Sequence, residues 1–588
     1  MPHFATTKHQ CFFGAICGNL ADHFAQTPWG KGVNLDDFRN LLSLVKILSI
    51  IVPNLQIQNE NLYIKFCPVF IRLISRLTAW VLLGSTLLLF GCTNVGPDFK
   101  QPDSPDVTSY TTQKLPMQTE TALGNFGGAQ HFVVGKEVPV NWWQNFGSTK
   151  LNALIDQALR ASPTLDAAQA TLLQAQQTYA AQMGSSQYPQ VNAKLGAQRQ
   201  KFNSSLFGQP GGGRIFDLYN AGVTVSYNFD LFGGNRRALE SFAAQADYQR
   251  YQLEGARLTL AANITTAAIT QAQFSAQINA TVAIMAAQKK QLNIARQRFE
   301  LGAVPRSDEL TLLTQVEQTR ASIPLLRKNL EQANNLLAVL VGQFPGAAQI
   351  PKFALADFNL PTDLPLVIPS ELVRQRPDIQ ASEALLHVAN AQYGVAVSTG
   401  YPQINLSSNL NSQALAASSL FGAGSMVWSL VGQVAQPLFN AGLKAGIKSA
   451  EAGFNAATAN YRQTVLQALR NVADVMRALD NDAQILQAQA AADAAAQASL
   501  NLIQHQFLLG GVSYLQLLTA QQQAQQTQIN LIAAQVQRLT DTAALYQAMG
   551  GGWVAASKQE AGLPPRHTYL AVQNTEHKGF VRHLVSQN

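Results

Sequence analysis

Cys92 is the side chain best placed for covalent chemistry in this chain of 588 residues. A thiol is a nucleophile that can carry a lipid, and the residues before it have the form of an export signal. Arg72 and Arg76 precede an apolar run from Leu77 to Phe90, and Gly91 supplies the small residue before a cut at Leu89-Phe90-Gly91-Cys92. As a helix the run is too short to span a bilayer core, which takes ~20 apolar residues. Removal of the signal is expected to leave Cys92 as a lipidated first residue. Cys11, Cys17 and Cys67 all precede the cut, so the mature chain would keep one cysteine and no internal disulfide. Residues 69–91 are thus a lipoprotein signal peptide, and residues 1–68, which lack a sustained apolar period, an over-extended and unstructured start.

Other chemistry finds little support. The body holds His131, His387 and His505, widely separated and without a partner at metal-ligand spacing. No HExxH or GxSxG motif occurs, and Gly211-Gly212-Gly213 is not followed by the Lys-Ser/Thr of a phosphate loop. Asp308 and Glu309 are adjacent acids at a turn between helices, where solvation or capping is expected. These residues predict no catalysis, no metal site and no cofactor beyond a covalent lipid on Cys92.

Charge excludes another class. Of the formal net charge of +7, about +3 lies in residues 1–91 and about +2 in residues 554–588. The remainder, about +2 over the body, offers no basic patch for nucleic acid. The body is rich in Ala and Gln, both good helix formers, and poor in charge. Small side chains of this kind let long helices pack closely.

The elements that position these residues come in duplicate. Ser162-Pro163-Thr164-Leu165-Asp166 answers to Arg376-Pro377-Asp378-Ile379-Gln380, and Tyr188-Pro189-Gln190-Val191-Asn192 to Tyr401-Pro402-Gln403-Ile404-Asn405. Phe299-Glu300-Leu301-Gly302-Ala303-Val304 answers to Phe507-Leu508-Leu509-Gly510-Gly511-Val512. A period of this length means duplication of a whole unit. The units span residues 146–345 and 369–553, with a linker at 346–368, an extended N-terminal segment at 92–145 and a disordered tail at 554–588.

Within each unit a helix opens on Pro163 or Pro377 and ends at a Tyr-Pro pair, since the residue before proline is pushed to extended geometry. Alternation with period two follows. Val191, Ala193, Leu195 and Ala197 share one face, and Gln190, Asn192, Lys194 and Gln198 the other. Val223, Val225, Tyr227 and Phe229 oppose Thr224, Ser226, Asn228 and Asp230. The second unit repeats this with Ile404, Leu406 and Leu410, then Trp428, Leu430 and Val434, while Val427 and Val431 fall on the polar side. Segments of about ten residues with one apolar and one polar face suit membrane β-strands. Ser204–Asp217 and Leu415–Gly424 are expected as Gly-rich surface loops between them.

Proline-free helical patterns then run from about Asn235 to Leu301 and from about Leu443 to Leu509. At 1.5 Å per residue each would be ~100 Å long. Each ends at a Gly turn, and helices return from near Ser307 and Ser513. Four strands cannot close a membrane barrel, whose smallest forms have about eight, and open edges are not tolerated in lipid. The sheet therefore demands several copies of the chain.

Several motifs in order resemble the TolC-like outer-membrane efflux proteins, in their lipoprotein branch. These are Val95-Gly96-Pro97-Asp98-Phe99 with Pro102, Asn141-Trp142-Trp143-Gln144-Asn145-Phe146, and Phe229-Asp230-Leu231-Phe232-Gly233. Arg374-Gln375-Arg376-Pro377-Asp378-Ile379 and Gly550-Gly551-Gly552-Trp553 complete the set. The resemblance spans residues 76–553. It implies a mostly α protein with membrane β: a homotrimer with a 12-stranded β-barrel continued by a periplasmic α-helical barrel. It implies a bacterial outer-membrane location, a periplasmic adaptor and an inner-membrane RND-type pump as partners, and passive exit for small toxic compounds or drugs. Thr93 after the lipid cysteine replaces the Asp that would favour inner-membrane retention. By the same resemblance Gly302, Val304, Gly510 and Val512 lie at the tips that meet the adaptor, with Leu515 and Thr519 at the gate. Thr519 stands where the branch commonly has aspartate, which puts an acidic gate in question. Trp142-Trp143 and Arg376-Pro377-Asp378 belong to the framework. The alternatives are an exit duct for a secreted peptide or protein or for metal ions, and, from a different class, a pore-less lipid-anchored coiled-coil protein.

Overall fold

The computed structural model describes residues 94–202 and 213–552. The chain divides into units Met1–Leu89 and Phe90–Asn588, and every described residue lies in the second. Cys92 with its signal, the start at 1–68, residues 203–212, Trp553 and the tail lie outside the described residues.

The helices α2 (Pro163–Gln187) and α6 (Pro377–Ser398), each opening on proline, follow shorter helices α1 (Thr149–Ala161) and α5 (Pro369–Gln375). Each then feeds a hairpin of strands. β2 (Gln190–Phe202) and β3 (Arg214–Phe229) come from the first unit, β5 (Gln403–Ala414) and β6 (Met426–Ala435) from the second. They form one antiparallel sheet in the order β2-β3-β5-β6. The first hairpin is longer than the expected ten residues. Arg214–Asp217, assigned above to a loop, pair with Phe202–Arg199 and belong to the sheet.

Below each hairpin runs a single uninterrupted helix, α3 (Gly234–Glu300, 67 residues) and α7 (Ala441–Leu508, 68 residues). Their partners α4 (Arg306–Leu340) and α8 (Tyr514–Ala548) return alongside. Among the described residues no helix is long and apolar enough to cross a membrane.

The linker at 346–368 is more than a connector. It contributes β4 (Asp363–Leu366), which pairs in parallel with β1 (His131–Val134) of the N-terminal segment. This small sheet lies on the main core, where Trp142 stacks on Tyr546 (5.4 Å between centroids) and Phe146 meets both rings. Asn145 donates to the buried Tyr546 hydroxyl at 3.0 Å. Fully burying large apolar side chains of this kind stabilises by about 1.5–3 kcal/mol each, which places Trp142-Trp143 in the framework. Arg376 also serves it: Nη1 donates to the Ala548 carbonyl at 2.8 Å, while Nε and Nη2 grip Asp378. This ties the start of α6 to the end of α8.

Residues 94–130 are pinned along the helices. Val95 N–H donates to the Phe232 carbonyl just below β3, and Arg237 binds Asp98 and the Val95 and Gly96 carbonyls. Gly96 is required there: its φ is +85°, and a Cβ would sit 2.6 Å from the Gly394 Cα.

Candidate functional site

The sheet has two chemically different faces, and register fixes which residues share them. Val191, Val225 and Ser408 lie side by side, as do Ala193, Val223, Leu410 and Trp428. Tyr227 with Leu406, and Ile404 with Val434, extend the same apolar face. The alternate rows are polar: Asn192, Thr224, Asn409 and Ser429 form one, Ser226 and Ser407 belong to another. Thr224 Oγ1 donates to Asn409 Oδ1 at 2.7 Å, and Asn409 donates to Ser429 at 3.3 Å. Val427 and Val431 do sit in polar rows, opposite Asn411 and Ser407. Leu195, Trp428, Leu430 and Val434 are each more than 60 % exposed in the single chain. Such a band of apolar groups suits lipid. The edges β2 and β6 have no partner strand among the described residues.

The far ends of the helical hairpins are built on glycine. Gly302 and Gly510 have φ of +70° and +79°, with nothing near the place a Cβ would occupy. Ala303 N–H reaches the Arg298 carbonyl and Gly302 N–H that of Phe299; Gly511 and Gly510 repeat the pattern to Gln506 and Phe507. This is the Schellman closure, which satisfies the last carbonyls of a helix. Val304 and Val512 are partly exposed beside the turns.

Past the second tip, Ser513 and Gln516 form a reciprocal capping box at the start of α8. Leu515 is 69 % exposed, whereas the next residues inward, Leu517 and Leu518, are buried. Thr519 is exposed, and its hydroxyl returns to the Leu515 carbonyl at 2.9 Å. Burial pushes the Tyr514 phenol up, and Asp308 pushes it further.

Several tip residues were not foreseen from sequence. Glu309, expected to be solvated or capping, is buried and bridges Arg296 (3.2 Å) and Arg306 (3.0 Å), clamping α3 to α4. Carboxamides join the two hairpins to each other: Gln522 donates to Gln315 at 3.0 Å, and Gln521 to Gln291. The Arg298 guanidinium lies 5.4 Å from the Phe507 ring centroid, again between hairpins. His387 has a partner remote in sequence: Nε2 lies 2.7 Å from Glu240, and the ring stacks on Phe99. It belongs to the seat of the N-terminal segment. Among the described residues no group of His, Cys, Asp or Glu could hold a metal ion.

A two-faced sheet continued by helices of this length defines a class, that of membrane-embedded ducts with long helical extensions. The chain belongs to the outer membrane efflux protein family, whose model matches residues 154–343 and 368–551. It is 28 % identical over 490 residues to the probable outer membrane lipoprotein SilC of Salmonella typhimurium, covering 80 % of this chain and 98 % of that one. The toluene efflux pump outer membrane protein TtgC of Pseudomonas putida is 28 % identical over 482 residues, covering 81 % and 96 %. The solved outer-membrane channel OprN superposes with a TM-score of 0.69 at 26 % identity, covering 78 % of this chain and 99 % of that one. The protein is an outer-membrane efflux channel with the TolC-like fold.

Proposed function

We propose that three copies of this chain close a 12-stranded barrel, anchored by lipid on Cys92, through which small toxic compounds leave the cell. The open-edged, two-faced sheet carries the reading, because lipid does not tolerate unpaired strand edges. The duplication supports the mode of closure. Inside the chain Phe232 packs on Tyr401 (5.0 Å between centroids), and β3 pairs with β5. The corresponding Phe439 and Tyr188 are 92 % and 57 % exposed, and β6 and β2 are the bare edges. Likewise α6 is buried along its length between α3 and α7, while α2 packs on α3 and fully buries only Leu165. Phe439, β6 and α7 of one copy thus complement Tyr188, β2 and α2 of the next.

The apolar face meets lipid and the Asn/Ser/Thr face lines the duct. The hydrogen bond from Val95 N–H to the Phe232 carbonyl keeps the start of the described chain beside the end of β3, which supports lipid anchoring at the membrane surface. The similarity to SilC, a probable outer membrane lipoprotein, supports the same. The tips at Gly302, Val304, Gly510 and Val512 reach into the periplasm and meet an adaptor that delivers cargo from an inner-membrane pump. Leu515 from three copies narrows the resting pore, with Thr519 behind it. Opening splays the hairpins and breaks the carboxamide links between them, each worth about 1 kcal/mol. The chain contributes a passage and no covalent chemistry or cofactor. Small apolar compounds are the preferred cargo, as the name of the toluene-pump relative suggests.

Planar-bilayer recording tests the gate. Leu515→Ala should raise resting conductance, more so with Thr519→Ala added. Unchanged conductance in both would place the constriction elsewhere.

A further inference from the structure

The duplicated hairpins differ at one point in a way that packing alone does not require. Counting from the tip glycines Gly302 and Gly510, the first unit carries Phe274, Leu325 and Leu326 where the second carries Asp482, Ala533 and Ala534. The exchange of three large apolar groups for an acid and two methyls leaves a cleft of about 430 Å³ between α7 and α8. Ile485, Ala533 and Ala534 make its apolar wall, and the carboxamides of Gln489, Asn530 and Gln537 its polar rim.

Asp482 lines this cleft although it is only 7 % exposed; no donor group reaches its Oδ2, and the side chain its carboxyl meets is another acid, Asp541. An ionised buried carboxylate without a donor is costly. The charged groups acting on it are Asp541 and Arg538, both on α8. Asp541 is another acceptor, already taking a hydrogen bond from Gln537 at 3.0 Å. Arg538 is fully buried and spends its donors on neutral oxygens: Gln130 Oε1, the Phe126 and Gly128 carbonyls, and Thr119 Oγ1. Two acids against one base leave one negative charge uncompensated. One proton or one monovalent cation restores neutrality, and the size and apolar wall of the cleft favour an organic cation over a bare ion.

We propose that the cleft between α7 and α8 binds an organic ammonium ion, with its charge on Asp482 and its apolar part against Ile485, Ala533 and Ala534. The site is independent of how cargo passes the tips, and its test does not read efflux. Burial raises the Asp482 carboxyl well above the usual carboxylate range, Asp541 raises it further, and Arg538 opposes them. The ligand therefore competes with a proton, and binding strengthens as pH rises.

Fluorescence titration of the purified full-length channel in detergent tests this with 1-naphthylmethylammonium against the neutral 1-naphthylmethanol. The cation should bind saturably at pH 8.5 and at least tenfold more weakly at pH 5.5. Asp482→Asn should weaken it at least tenfold at pH 8.5, and Ala534→Leu, which restores the first unit's residue, should exclude it. Neither change should alter the elution volume of the assembled protein. Equal binding of the neutral probe, retention of binding in Asp482→Asn, or no saturable binding at pH 8.5 would each overturn the proposal. The last result would mean that the pair merely shares a proton.

Discussion

The two units share a backbone plan and differ in what covers them. In the first, the ring below the strands is closed by the chain itself: Phe232 lies on Tyr401, and the N-terminal segment is latched over α3 by Arg237. In the second, the equivalent Phe439 is bare. The tips differ in the same spirit. Arg306 sits 5.3 Å from the Phe299 ring centroid in the first unit, where the second has Tyr514 edge-on to Phe507 at 6.2 Å. The first tip is held by charge through Glu309, the second by a neutral capping box. Duplication thus supplies one chain with both halves of a repeating joint, one filled internally and one left bare.

The largest effect should come from the bare joint. If the proposed trimer closes through this joint, Phe439→Asp is expected to leave monomers in native mass spectrometry, with helical circular dichroism retained. Persistence of trimer would show that the second joint is not an equivalent of the first.

Next is the sheet. Val225→Arg, on the apolar face, should cost about 2–4 kcal/mol near the membrane midplane, while Ser226→Arg beside it should be mild. Urea unfolding from lipid vesicles separates the two. Equal damage would erase the distinction between faces.

That distinction was legible in sequence, and so were the long helices, because both rest on local periodicity: alternation around Val191 and Val223, and the absence of proline from Asn235 to Glu300. What escaped was long-range. β1 and β4 are four residues each and join His131 to Asp363, so neither has a local signature. The burial of Glu309 depends on Arg296 reaching across from α3, and Gln291–Gln521 pairs residues from different units. A lone Gln in a Gln-rich helix carries no mark of its partner. The length of β3 was missed because Arg214–Asp217 follow a glycine run and show too few residues to establish alternation.

The tips should give smaller differences. Glu309→Ala removes a buried carboxylate from two arginines and is expected to destabilise by about 1–3 kcal/mol. Ser513→Ala, which removes a neutral cap, should cost about 1 kcal/mol. Hydrogen exchange at the two turns checks the order. A larger effect of Ser513→Ala would mean that the charged clamp contributes little.

The smallest effect concerns the seam of the first unit. Burial tends to raise the Asp357 carboxyl, but the Lys150 ammonium (2.8 Å) and the Ala354 N–H outweigh it and hold the group below its ordinary value. Its contribution is present above the ordinary carboxylate value and is lost as pH falls through the lowered native one. Lys150→Met should flatten that acid-side loss in thermal melts, and an unchanged slope would remove Asp357 from the account.

The central claim is that the Asn/Ser/Thr face of the sheet lines a water-filled duct and the Val/Leu face meets lipid. Single-channel recording during addition of a charged thiol reagent tests it, since the proposed processing at Cys92 would leave no other cysteine as background. Ser226→Cys should lose conductance in discrete steps on modification, and Val225→Cys should not respond. Block at Val225→Cys with none at Ser226→Cys would contradict the account.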